Sequence, residues 1–526
     1  MAKALPIMFQ GTHSDAGKSV IATAFCRIFA QSGWKTAPFK SQNMSLNSYV
    51  TIDGKEIGRA QGIQAEAAGV VATTDMNPIL IKPSREYESQ IVVHGRPYKN
   101  MQALAYRSEF FEKGLAIIRE SLDVLMNEYD RIVIEGAGSP AEINLNDREL
   151  VNMRVAHMAN APVVLIGDIE RGGVFASLVG TLQLLEKEER QRIIGVIINK
   201  FRGDLALLKP GLDWFEQYTG VPVLGVVPYL PNLHIDAEDS VSLDQVPTTA
   251  NPEKDIDIAV IRYPKIANFT DIDPFFAEPD CHVRFVTTAS QLGKPDLLIL
   301  PGSKNTIEDL LYMKRHGIAA QIEKLFHHHK VMIIGICGGY QMLGAIIRDP
   351  FEVETPIRET EGLGLLPIAT TLEREKTTIL SEGIVTFAGE RFAVKGYEIH
   401  MGRSEPLAGY IPLIEMHGLE MHRRKEGGKS EDERVMGTYF HDLFHNDAFR
   451  ESLLNHLRRQ KGLAPLYGRK SFRTLREEAF DRLAACVKRH VRVEEIEEKM
   501  HVFQRRLNRS KLNLCAIKPL TLKERC

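Results

Sequence analysis

The sequence lacks the features that mark several classes of protein. Its longest apolar runs, such as 161–167 and 331–335, have the length of strands and fall far short of the ~20 residues of a membrane-spanning helix. Lys and Arg number 66 against 68 Asp and Glu, so no overall positive field favours nucleic acid or a membrane surface. Six scattered cysteines show no metal-ligand spacing, which favours a reducing cytoplasm over a disulfide framework.

The composition that is present supports large folded cores. Hydrophobic residues make up 44% and charged residues 25% of 526 residues, which excludes a disordered chain and a small disulfide-stapled scaffold. At about 150 residues per domain, this length predicts about three domains, or two large ones with an appendage. We expect the segment 1–9 to form the first buried strand, because no small-residue cleavage site of a signal peptide follows it.

Short apolar runs alternate with longer helical stretches in two parts of the chain. Continuous apolar strands between helices predict parallel sheets covered on both faces, hence an α/β fold. In the first part these runs are 6–9, 131–134, 162–166, 193–198 and 222–227. A second α/β pattern begins at Ile256 and ends near His441. We therefore predict a domain over 1–231, a linker over 232–252, a second domain over 253–447, and a helical C-terminal segment with a basic tail over 448–526.

A phosphate-binding loop follows the first predicted strand. The residues from Gly11 to Ser19 read Gly-Thr-His-Ser-Asp-Ala-Gly-Lys-Ser and precede an apolar helix. Backbone N–H groups of such a loop cradle phosphates, the lysine neutralises them, and the serine hydroxyl can bind Mg²⁺. The loop predicts an ATP site made of Gly11, Thr12, Ser14, Asp15, Ala16, Gly17, Lys18 and Ser19. Asn199, at the end of a later strand, is a further candidate for contact with the base.

The loop departs from the common pattern, because Thr12 stands where glycine is usual. In this it resembles the dethiobiotin synthetase and partition-ATPase branch of P-loop proteins. The additional lysine of the partition ATPases would fall at His13, which weighs against that group. Glu135 ends the strand-like run 131–134, next to flexible glycines, and is predicted to hold Mg²⁺ together with Ser19.

A cysteine on a tight turn is the centre of a second predicted site. Cys337 stands between Gly335 and Gly339, the Gly-x-nucleophile-x-Gly form of a strand-to-helix elbow that exposes the central side chain. The helix N-terminus behind it favours the thiolate. The backbone N–H of Gly338, and that of Gly302 after another strand, are the predicted oxyanion hole. The other five cysteines are expected to be inert and buried.

The predicted base for this cysteine is His441, at the end of the strand-like run Gly-Thr-Tyr-Phe-His. The pair resembles the triad-type, class I glutamine amidotransferases, in which cysteine attacks the glutamine side-chain amide. Many of them carry glutamate two residues after the histidine, but Leu443 stands there, so the third member is open and a Cys–His dyad is predicted. His400 is expected to be structural or substrate-facing, and the run 327–329 a solvated helix end.

An ATP site and a glutaminase on one chain together imply amide formation, in which ATP activates a carboxylate and glutamine supplies ammonia. Long blocks of the chain, over about 6–483, resemble the cobyric acid synthase family, the glutamine-dependent corrinoid amidases of cobalamin biosynthesis. The blocks are 39–49, 56–61, 75–83, 135–145, 168–177 and 396–402. The resemblance implies a dethiobiotin-synthetase-like domain followed by a class I amidotransferase domain. It also implies that four carboxylates of a corrinoid diamide are amidated with ATP, Mg²⁺ and glutamine.

The same resemblance implies roles for further residues. Lys18 and Lys40 would stabilise the transferring phosphoryl group, and Ser19 and Glu135 would hold Mg²⁺. Asp147 is the preferred contact for the acyl phosphate or the incoming ammonia. The residues expected in loops that face the corrinoid are Gln42, Asn43, Glu142 and Asn144.

Three alternatives stay open from the sequence. One is the related a,c-diamide synthase, acting on two carboxylates, although the block that begins at Ser41 favours cobyric acid synthase. Another is a partition-type ATPase switch, and a third is an amidotransferase that uses only free ammonia. The expected partner is a small corrinoid, without nucleic acid or membrane, and a homo-oligomer is compatible with the sequence. The segment 418–433 is expected to be an exposed loop, and 505–526 a disordered or loosely docked tail.

Overall fold

The structure, a computed structural model, describes residues 4–85, 87–231, 233, 243–244, 246–417 and 424–516, with side chains up to residue 507. Most of the predicted linker 232–252 therefore lies outside the described residues. The strands of the first domain are β1 (Leu5–Gly11), β2 (Thr36–Phe39), β3 (Gln42–Met44), β4 (Ser48–Val50), β5 (Glu56–Gly58), β6 (Ile79–Pro83), β7 (Glu88–Val93), β8 (Arg96–Gln102), β9 (Arg131–Glu135), β10 (Val163–Asp168), β11 (Ile193–Phe201) and β12 (Val223–Pro228). Its helices are α1 (Lys18–Gln31), α2 (Arg59–Ala67), α3 (Ala103–Ala105), α4 (Phe111–Glu128), α5 (Met153–Met158), α6 (Val174–Leu184), α7 (Lys187–Arg190) and α8 (Leu205–Thr219).

A six-stranded parallel sheet forms the centre of the first domain, in the order β12-β11-β10-β1-β9-β2. The five strands predicted from apolar runs are confirmed as β1, β9, β10, β11 and β12. The prediction omitted β2, a four-residue edge strand that contains Pro38, a residue tolerated at an edge because it lacks an N–H. Parallel pairing brings the carboxyl ends of β1, β9 and β10 to one edge, at Gly11, Glu135 and Asp168.

A smaller mixed sheet, in the order β3-β6-β7-β8, and the β4–β5 pair lie in the segment between α1 and α4. Gln42 and Asn43 belong to β3, which pairs in parallel with β6, so the prediction that they lie in a loop is wrong. Their polarity suggested a loop. Asn43 is nevertheless buried, and its side-chain amide is satisfied there because it donates to Gln61 Oε1 at 2.9 Å. A satisfied polar side chain can occupy a short strand in this way.

The second domain follows with its own α/β core. Its strands are β13 (Ile256–Ile261), β14 (Ile266–Ala267), β15 (Cys281–Val286), β16 (Leu297–Leu300), β17 (Gly302–Ser303), β18 (Met332–Ile336), β19 (Ile346–Arg348), β20 (Glu359–Glu361), β21 (Ile368–Phe387), β22 (Glu390–Pro406), β23 (Ile414–Met416), β24 (Arg424–Glu426), β25 (Gly428–Lys429), β26 (Val435–Thr438) and β27 (Phe440–His441). Its helices are α9 (Asp273–Phe276), α10 (Ala289–Leu292), α11 (Thr306–Arg315), α12 (Ile318–His328) and α13 (Gly338–Leu343).

The core sheet of this domain has the order β15-β13-β16-β18-β26-β25 and is parallel except at β25. A second sheet is built on the long antiparallel β21–β22 pair, which the sequence analysis did not predict. The expected exposed loop 418–433 is wrong for 424–429, because β24 and β25 lie there and Glu426 is buried, but 430–433 is a turn in which Glu431 and Asp432 are exposed. Residues 418–423 lie outside the described residues.

Three helices, α14 (Asp447–Gln460), α15 (Phe472–His490) and α16 (Val493–Ala516), lie in the C-terminal part of the chain. Buried residues of α14 join the core of the second domain, whereas α15 and α16 pack on the first. Helix α16 continues to Ala516, so the expectation of disorder is wrong for 505–516, whereas the exposed side chains of Arg505 and Arg506 are compatible with loose docking. Earlier on the same helix, Ile496 and Met500 are buried in the first domain's core. Residues 517–526 lie outside the described residues. Among the described helices, none is both long and apolar enough to cross a membrane.

Candidate active sites and the interface between them

The phosphate loop joins β1 to α1 as predicted. The loop ends at Gly17, whose φ of 94° lies in the left-handed region and whose added Cβ would lie 2.0 Å from Asn199 Nδ2, so only glycine fits. Lys18 begins α1, and its Nζ donates to the carbonyl oxygens of His13 at 3.0 Å and Gly138 at 3.3 Å. The lysine thus links the loop to the segment that follows β9.

Side chains from β11 and the loop after β10 hold the phosphate loop in shape. Asn199 Nδ2 donates to the Ala16 carbonyl at 3.1 Å, and Lys200 Nζ donates to the Asp15 carbonyl at 2.8 Å. Arg171 pairs with the Asp15 carboxylate at 3.0 Å. Asn199 therefore supports the loop backbone, and its predicted contact with the base stays a prediction.

Glu135 is the buried centre of the site predicted to hold Mg²⁺. Its Oε1 accepts from Ser19 Oγ at 2.8 Å and pairs with Lys40 Nζ at 2.9 Å, while its Oε2 accepts from Gln64 Nε2 at 2.6 Å. A hydroxyl and a carboxylate in contact are the oxygen donors that Mg²⁺ prefers, so these residues fit the ion. Among the described residues no group of three His, Cys, Asp or Glu could hold a metal, so phosphate oxygens and water would complete its shell.

Asp168, which ends the neighbouring strand β10, is a second buried carboxylate at this edge. Lys200 Nζ lies 3.1 Å from its Oδ2, and His13 Nε2 lies 3.9 Å from the same oxygen. Burial and the Arg171 cation lower the pKa of His13, although Asp168 opposes them. Asp168 is the first residue of the block 168–177 that resembles the family. Its position at a strand end, like that of Glu135, is the signal that could have found it.

The predicted corrinoid contacts lie in two places around the phosphate site. Gln42 accepts from Tyr106 OH at 2.6 Å, and Asn43 is buried. Glu142 and Asn144 are exposed in the segment after β9. Asp147 is also exposed there, and its carboxylate pairs with Arg107 on a π-helical turn, Tyr106–Phe110. Substrate contact by these residues stays a prediction.

Cys337 lies on the predicted elbow between β18 and α13. Its φ of 52° and ψ of −107° are strained for a residue with a side chain, a cost that cores sustain at functional sites. The neighbouring Gly339 is required, because an added Cβ would lie 1.9 Å from the Leu300 carbonyl oxygen. The thiol is buried rather than exposed as predicted, and it donates to the Ile399 carbonyl oxygen at 3.6 Å. It lies close enough to His441 to raise the pKa of that histidine, so the structure brings the predicted nucleophile and base together.

Asp271 is the third member that the sequence left open. His441 Nδ1 lies 2.8 Å from Asp271 Oδ2, and both side chains are fully buried. Burial alone would lower the pKa of His441, but the Asp271 carboxylate and Cys337 raise it to about 10. The site is a Cys–His–Asp triad, and the predicted dyad is incomplete.

The sequence could not find Asp271 by spacing, because it precedes His441 by 170 residues. It lies in a 3₁₀ turn, Phe269–Ile272, directly after the short strand β14. Leu443, which stands where relatives of this type often have glutamate, is fully buried in the core. The one sequence feature that could have indicated Asp271 is its place as an acidic residue soon after β13, the first strand of the domain.

The predicted oxyanion hole involves the turn after β16. In the β14–β17 pair Gly302 lies opposite Ala267. The backbone nitrogen that approaches Gly338 is that of Ser303, which would lie 2.8 Å from an added Cβ there. The roles of Gly302 and Gly338 as donors stay predictions, and Ser303 N–H is a further candidate. His400 lines the same pocket and stacks on Tyr439, as a substrate-facing or structural residue would.

The cysteines other than Cys337 differ in their burial. Cys26 and Cys281 are buried as expected, but Cys486 is only partly buried, so that expectation is wrong for it. Cys486 lies on α15, a helix that keeps one face in solvent. The side chains of Cys515 and Cys526 lie outside the described residues.

His327 and His328 end α12 in solvent, as predicted.

Charged residues from both domains line the pocket beside Cys337. Lys82 of the first domain and Lys304, Lys376 and Glu354 of the second all face it. Lys82 and Lys376 pair with the two oxygens of Glu56, a buried carboxylate of β5. Burial, reinforced by the Lys82 and Lys304 cations, lowers the pKa of Lys376 to about 8 in spite of Glu56. The Cys337 pocket is therefore completed by the domain that carries the phosphate loop.

Comparisons with known proteins agree with this two-site geometry. A CobQ/CobB/MinD/ParA nucleotide binding domain matches residues 7–243, and a CobB/CobQ-like glutamine amidotransferase domain matches residues 257–449. A cobyric acid synthase from Geobacillus sp. (strain WCH70) is 84% identical over 96% of this chain and 100% of that protein. The chain belongs to the cobyric acid synthase family. A cobyric acid synthase from Moorella thermoacetica (strain ATCC 39073 / JCM 9320) is 49% identical over 93% of this chain and 96% of its own.

Membership confirms the resemblance seen in the sequence, and with it the α/β fold of a P-loop domain followed by a glutamine amidotransferase domain. The chain is an ATP-dependent, glutamine-hydrolysing amide ligase. A partition-type ATPase switch is thereby excluded.

Proposed function

We propose that the chain amidates the b, d, e and g carboxylates of adenosylcobyrinic acid a,c-diamide to give adenosylcobyric acid. The observation that carries this proposal is the shared interface, at which Lys82 of the ATP-binding domain lines the glutaminase pocket of Cys337. Ammonia released there emerges beside the domain that would activate the acceptor. Family membership supports the choice of a corrinoid over other carboxylates.

At the phosphate site, a corrinoid carboxylate oxygen attacks the γ-phosphorus of ATP, and ADP leaves. Ammonia then attacks the acyl carbon of the acyl phosphate, and inorganic phosphate leaves as the amide forms. Lys18 and Lys40 stabilise the negative charge on the transferring group, and backbone N–H groups of the loop hold the other phosphates. Ser19 and Glu135 would hold Mg²⁺, which would supply charge neutralisation at the phosphates.

At the glutaminase site, the Cys337 thiolate attacks the side-chain amide carbon of glutamine. Protonated His441 gives its proton to the departing nitrogen, and ammonia leaves a γ-glutamyl thioester. Neutral His441 then takes a proton from water, which hydrolyses the thioester to glutamate and restores the thiol. Asp271 holds the imidazole and stabilises its protonated form throughout.

Glutamine is a zwitterion, and the pocket offers it opposite charges. Lys304 and Glu354 both face the pocket together with Cys337. Burial and the Lys82 cation lower the pKa of Lys304 although the Glu354 carboxylate opposes them, and burial raises the pKa of Glu354 to about 7 although Lys304 opposes it, so the pair leaves each charge incompletely compensated. A carboxylate at Lys304 and an ammonium at Glu354 would supply that compensation. We infer that these two residues recognise the α-carboxylate and α-ammonium groups of glutamine.

Mass spectrometry of the product tests the proposal. The protein is incubated with ATP, Mg²⁺, glutamine and the corrinoid a,c-diamide, and the product masses are followed over time. Each conversion replaces OH by NH₂ and lowers the mass by one fixed step, so four steps are expected. A stop after two steps, or activity only on the corrinoid that lacks the a and c amides, would favour the a,c-diamide synthase instead.

A further inference from the structure

A π-helical turn precedes helix α4 in the first domain. The short helix α3 is followed by five residues, Tyr106–Phe110, in π-helical geometry before α4 begins at Phe111. Turns of this kind are rare and occur frequently at functional sites. Phe110 is buried, and the Tyr106 ring stacks on it with the ring centroids 5.1 Å apart. The aromatic residues thus anchor the turn, while Arg107 between them keeps 28% of its side chain exposed.

The turn contacts two segments that lead to the phosphate site. Tyr106 OH donates to Gln42 Oε1 at 2.6 Å, and Gln42 lies two residues after Lys40 of that site. Arg107 Nη1 donates to the Leu145 carbonyl oxygen at 3.4 Å, in the segment that follows β9. An acceptor as wide as a corrinoid, with one carboxylate at the phosphate site, would therefore extend over this turn.

Three arginine side chains converge around Asp147 beside the turn. The Asp147 carboxylate pairs with Arg107 Nη2 at 2.5 Å, and its backbone carbonyl accepts from Arg154 Nη2 at 3.0 Å. Arg148 Nη1 donates to the Arg107 carbonyl at 3.1 Å. The nearby Glu149 carboxylate accepts from three backbone N–H groups. Among the charged groups that meet here, three cations face two carboxylates, so the excess charge is positive.

The ion pair between Arg107 and Asp147 is open to exchange. The Asp147 side chain is 69% exposed, and ion pairs between exposed side chains stabilise a fold little. A guanidinium presents its N–H donors in a planar fork that matches the two oxygens of a carboxylate. A carboxylate of a bound molecule can therefore take the place of Asp147 at Arg107.

Apolar side chains lie exposed around the same turn. Leu104 of α3 is 83% exposed, and Met44 is exposed on β3, where it shares a face with Gln42 two residues before it. Ile143 and Leu145, after β9, are exposed as well. Exposed apolar side chains with a polar rim indicate a binding surface. A corrinoid matches both parts, because its ring carries methyl groups and its arms end in carboxylates.

We propose that the turn 103–110 recognises the corrinoid, with Arg107 binding a carboxylate arm other than the one being activated. The inference rests on the proposed function, amidation of a corrinoid. The arm displaces Asp147 from Arg107, and the ring lies against Leu104 and Met44. Because the reaction removes four carboxylates, Arg107 binds the a,c-diamide more tightly than adenosylcobyric acid, which favours release of the finished product.

Equilibrium dialysis tests this assignment without measuring amidation. The full chain is dialysed against the corrinoid a,c-diamide or against adenosylcobyric acid, with Mg²⁺ and a non-hydrolysable ATP analogue, and bound corrinoid is determined from its visible absorbance. Arg107→Met should raise the Kd of the diamide about 10- to 100-fold, the effect of losing a charged hydrogen bond, and that of adenosylcobyric acid less than about threefold. Arg107→Lys should regain part of the affinity, because it keeps the charge without the planar fork.

Arg119→Met is the matched control, because Arg119 is exposed on α4, the helix that follows the turn. It should leave both Kd values unchanged. Equal losses of affinity for the two corrinoids in Arg107→Met, or no loss for the diamide, would overturn the proposal, since a merely structural role of Arg107 would not distinguish them.

Leu104→Ser tests the apolar contact, and it keeps the proposal falsifiable if thermal unfolding shows that Arg107→Met does not fold. Because Leu104 is exposed, this variant should fold, and the Kd of the diamide should rise at least about threefold through loss of apolar contact. An unchanged Kd would overturn the proposal. If the mass of the protein in solution changes instead of the Kd, a second copy of the chain covers the turn, and the proposal is likewise overturned.

The failure of this inference is distinguishable from the failure of the proposed function. If the wild-type chain amidates the diamide but Arg107→Met binds it as tightly as the wild type does, only the assignment of the turn is wrong. If the wild-type chain forms no amide from glutamine or from ammonium salt, the proposed function itself is wrong, and the inference that rests on it falls too.

Discussion

His441 depends on one carboxylate, that of Asp271, for its charge and its orientation. Asp271→Asn removes the negative charge and, by analogy with other acid–base triads, should lower glutamine-driven turnover by about 10²- to 10⁴-fold. Ammonium-driven amidation should be retained, because it does not pass through the triad. Comparison of the two nitrogen sources in steady-state assays checks this expectation.

The same variant makes a prediction about stability and pH. Because the pKa of His441 is raised from 6.5 to about 10, its protonation stabilises the fold fully below pH 6.5, and this contribution is lost as the pH rises through about 10. The free energy of unfolding of Asp271→Asn should therefore fall furthest below that of the wild type at pH 6.5 and below. Denaturant titrations across this range check it, with exposed Asp432→Asn as control. A deficit that grows toward pH 10 would contradict the assignment.

Lys304 is the residue we assign to the α-carboxylate of glutamine. Lys304→Gln should raise the KM for glutamine about 10- to 100-fold, the effect of losing a charged hydrogen bond, and leave the KM for ammonium unchanged. Steady-state kinetics with each nitrogen source measure both constants. Lys294→Gln, an exposed lysine of the same domain, is the matched control. An equal rise in both KM values would instead indicate damage to the acceptor site.

At the scale of elements, the β1–loop–α1 unit holds the residues that we propose activate the carboxylate. Helix α1 buries Ile21, Phe25 and Ile28 against the sheet, which fixes Lys18 at its start. Lys18→Ala should abolish amidation from glutamine and from ammonium alike, by at least about 10²-fold, because both follow activation of the carboxylate. Product assays with each nitrogen source check this, with exposed Lys209→Ala on α8 as control. Survival of ammonium-driven amidation would contradict the role of Lys18.

The first part of helix α16, before the expected tail at 505–526, is a structural part of the first domain. Ile496 is fully buried in the core that α1 and α15 also form. Ile496→Ala should lower the free energy of unfolding by about 2–5 kcal/mol, the usual effect of opening a core cavity. Val502→Ala, on the same helix but 41% exposed, should change it by less than about 0.5 kcal/mol. Denaturant unfolding of both variants checks the packing, and equal effects would contradict it.

At the scale of the whole molecule, the interface between domains is built from charge. Glu56 of the first domain lies between Lys82 of its own domain and Lys376 of the other, all buried. Such a buried cluster favours one docking geometry, because displacement would leave charges without partners. The formal net charge of the whole chain is only −2, so the chain has no global positive field to attract an anionic substrate. We propose that a polyanionic corrinoid is met by local cations such as Lys18 and Lys40 and not by a global field.

Local sequence patterns predicted the parts of the fold that depend on neighbouring residues. Continuous apolar runs predicted β1 and β10, and glycine spacing predicted the loop before Lys18 and the elbow at Cys337. The parts that depend on distant residues escaped prediction. Asp271 joins His441 only through the tertiary fold, and α16 is ordered by burial of Ile496 in a core formed early in the chain. The β21–β22 pair was missed because its alternating polar face resembles irregular segments.

One molecule of this chain both releases ammonia from glutamine and uses it for amidation. The most direct measurement supplies glutamine labelled with ¹⁵N in its side-chain amide, together with unlabelled ammonium salt, and determines ¹⁵N in the amidated corrinoid by mass spectrometry. We predict ¹⁵N in every newly formed amide of the wild-type product, and none in the product of Cys337→Ala, which must draw on the salt. Wild-type product with the isotope content of the bulk ammonium pool would contradict the account.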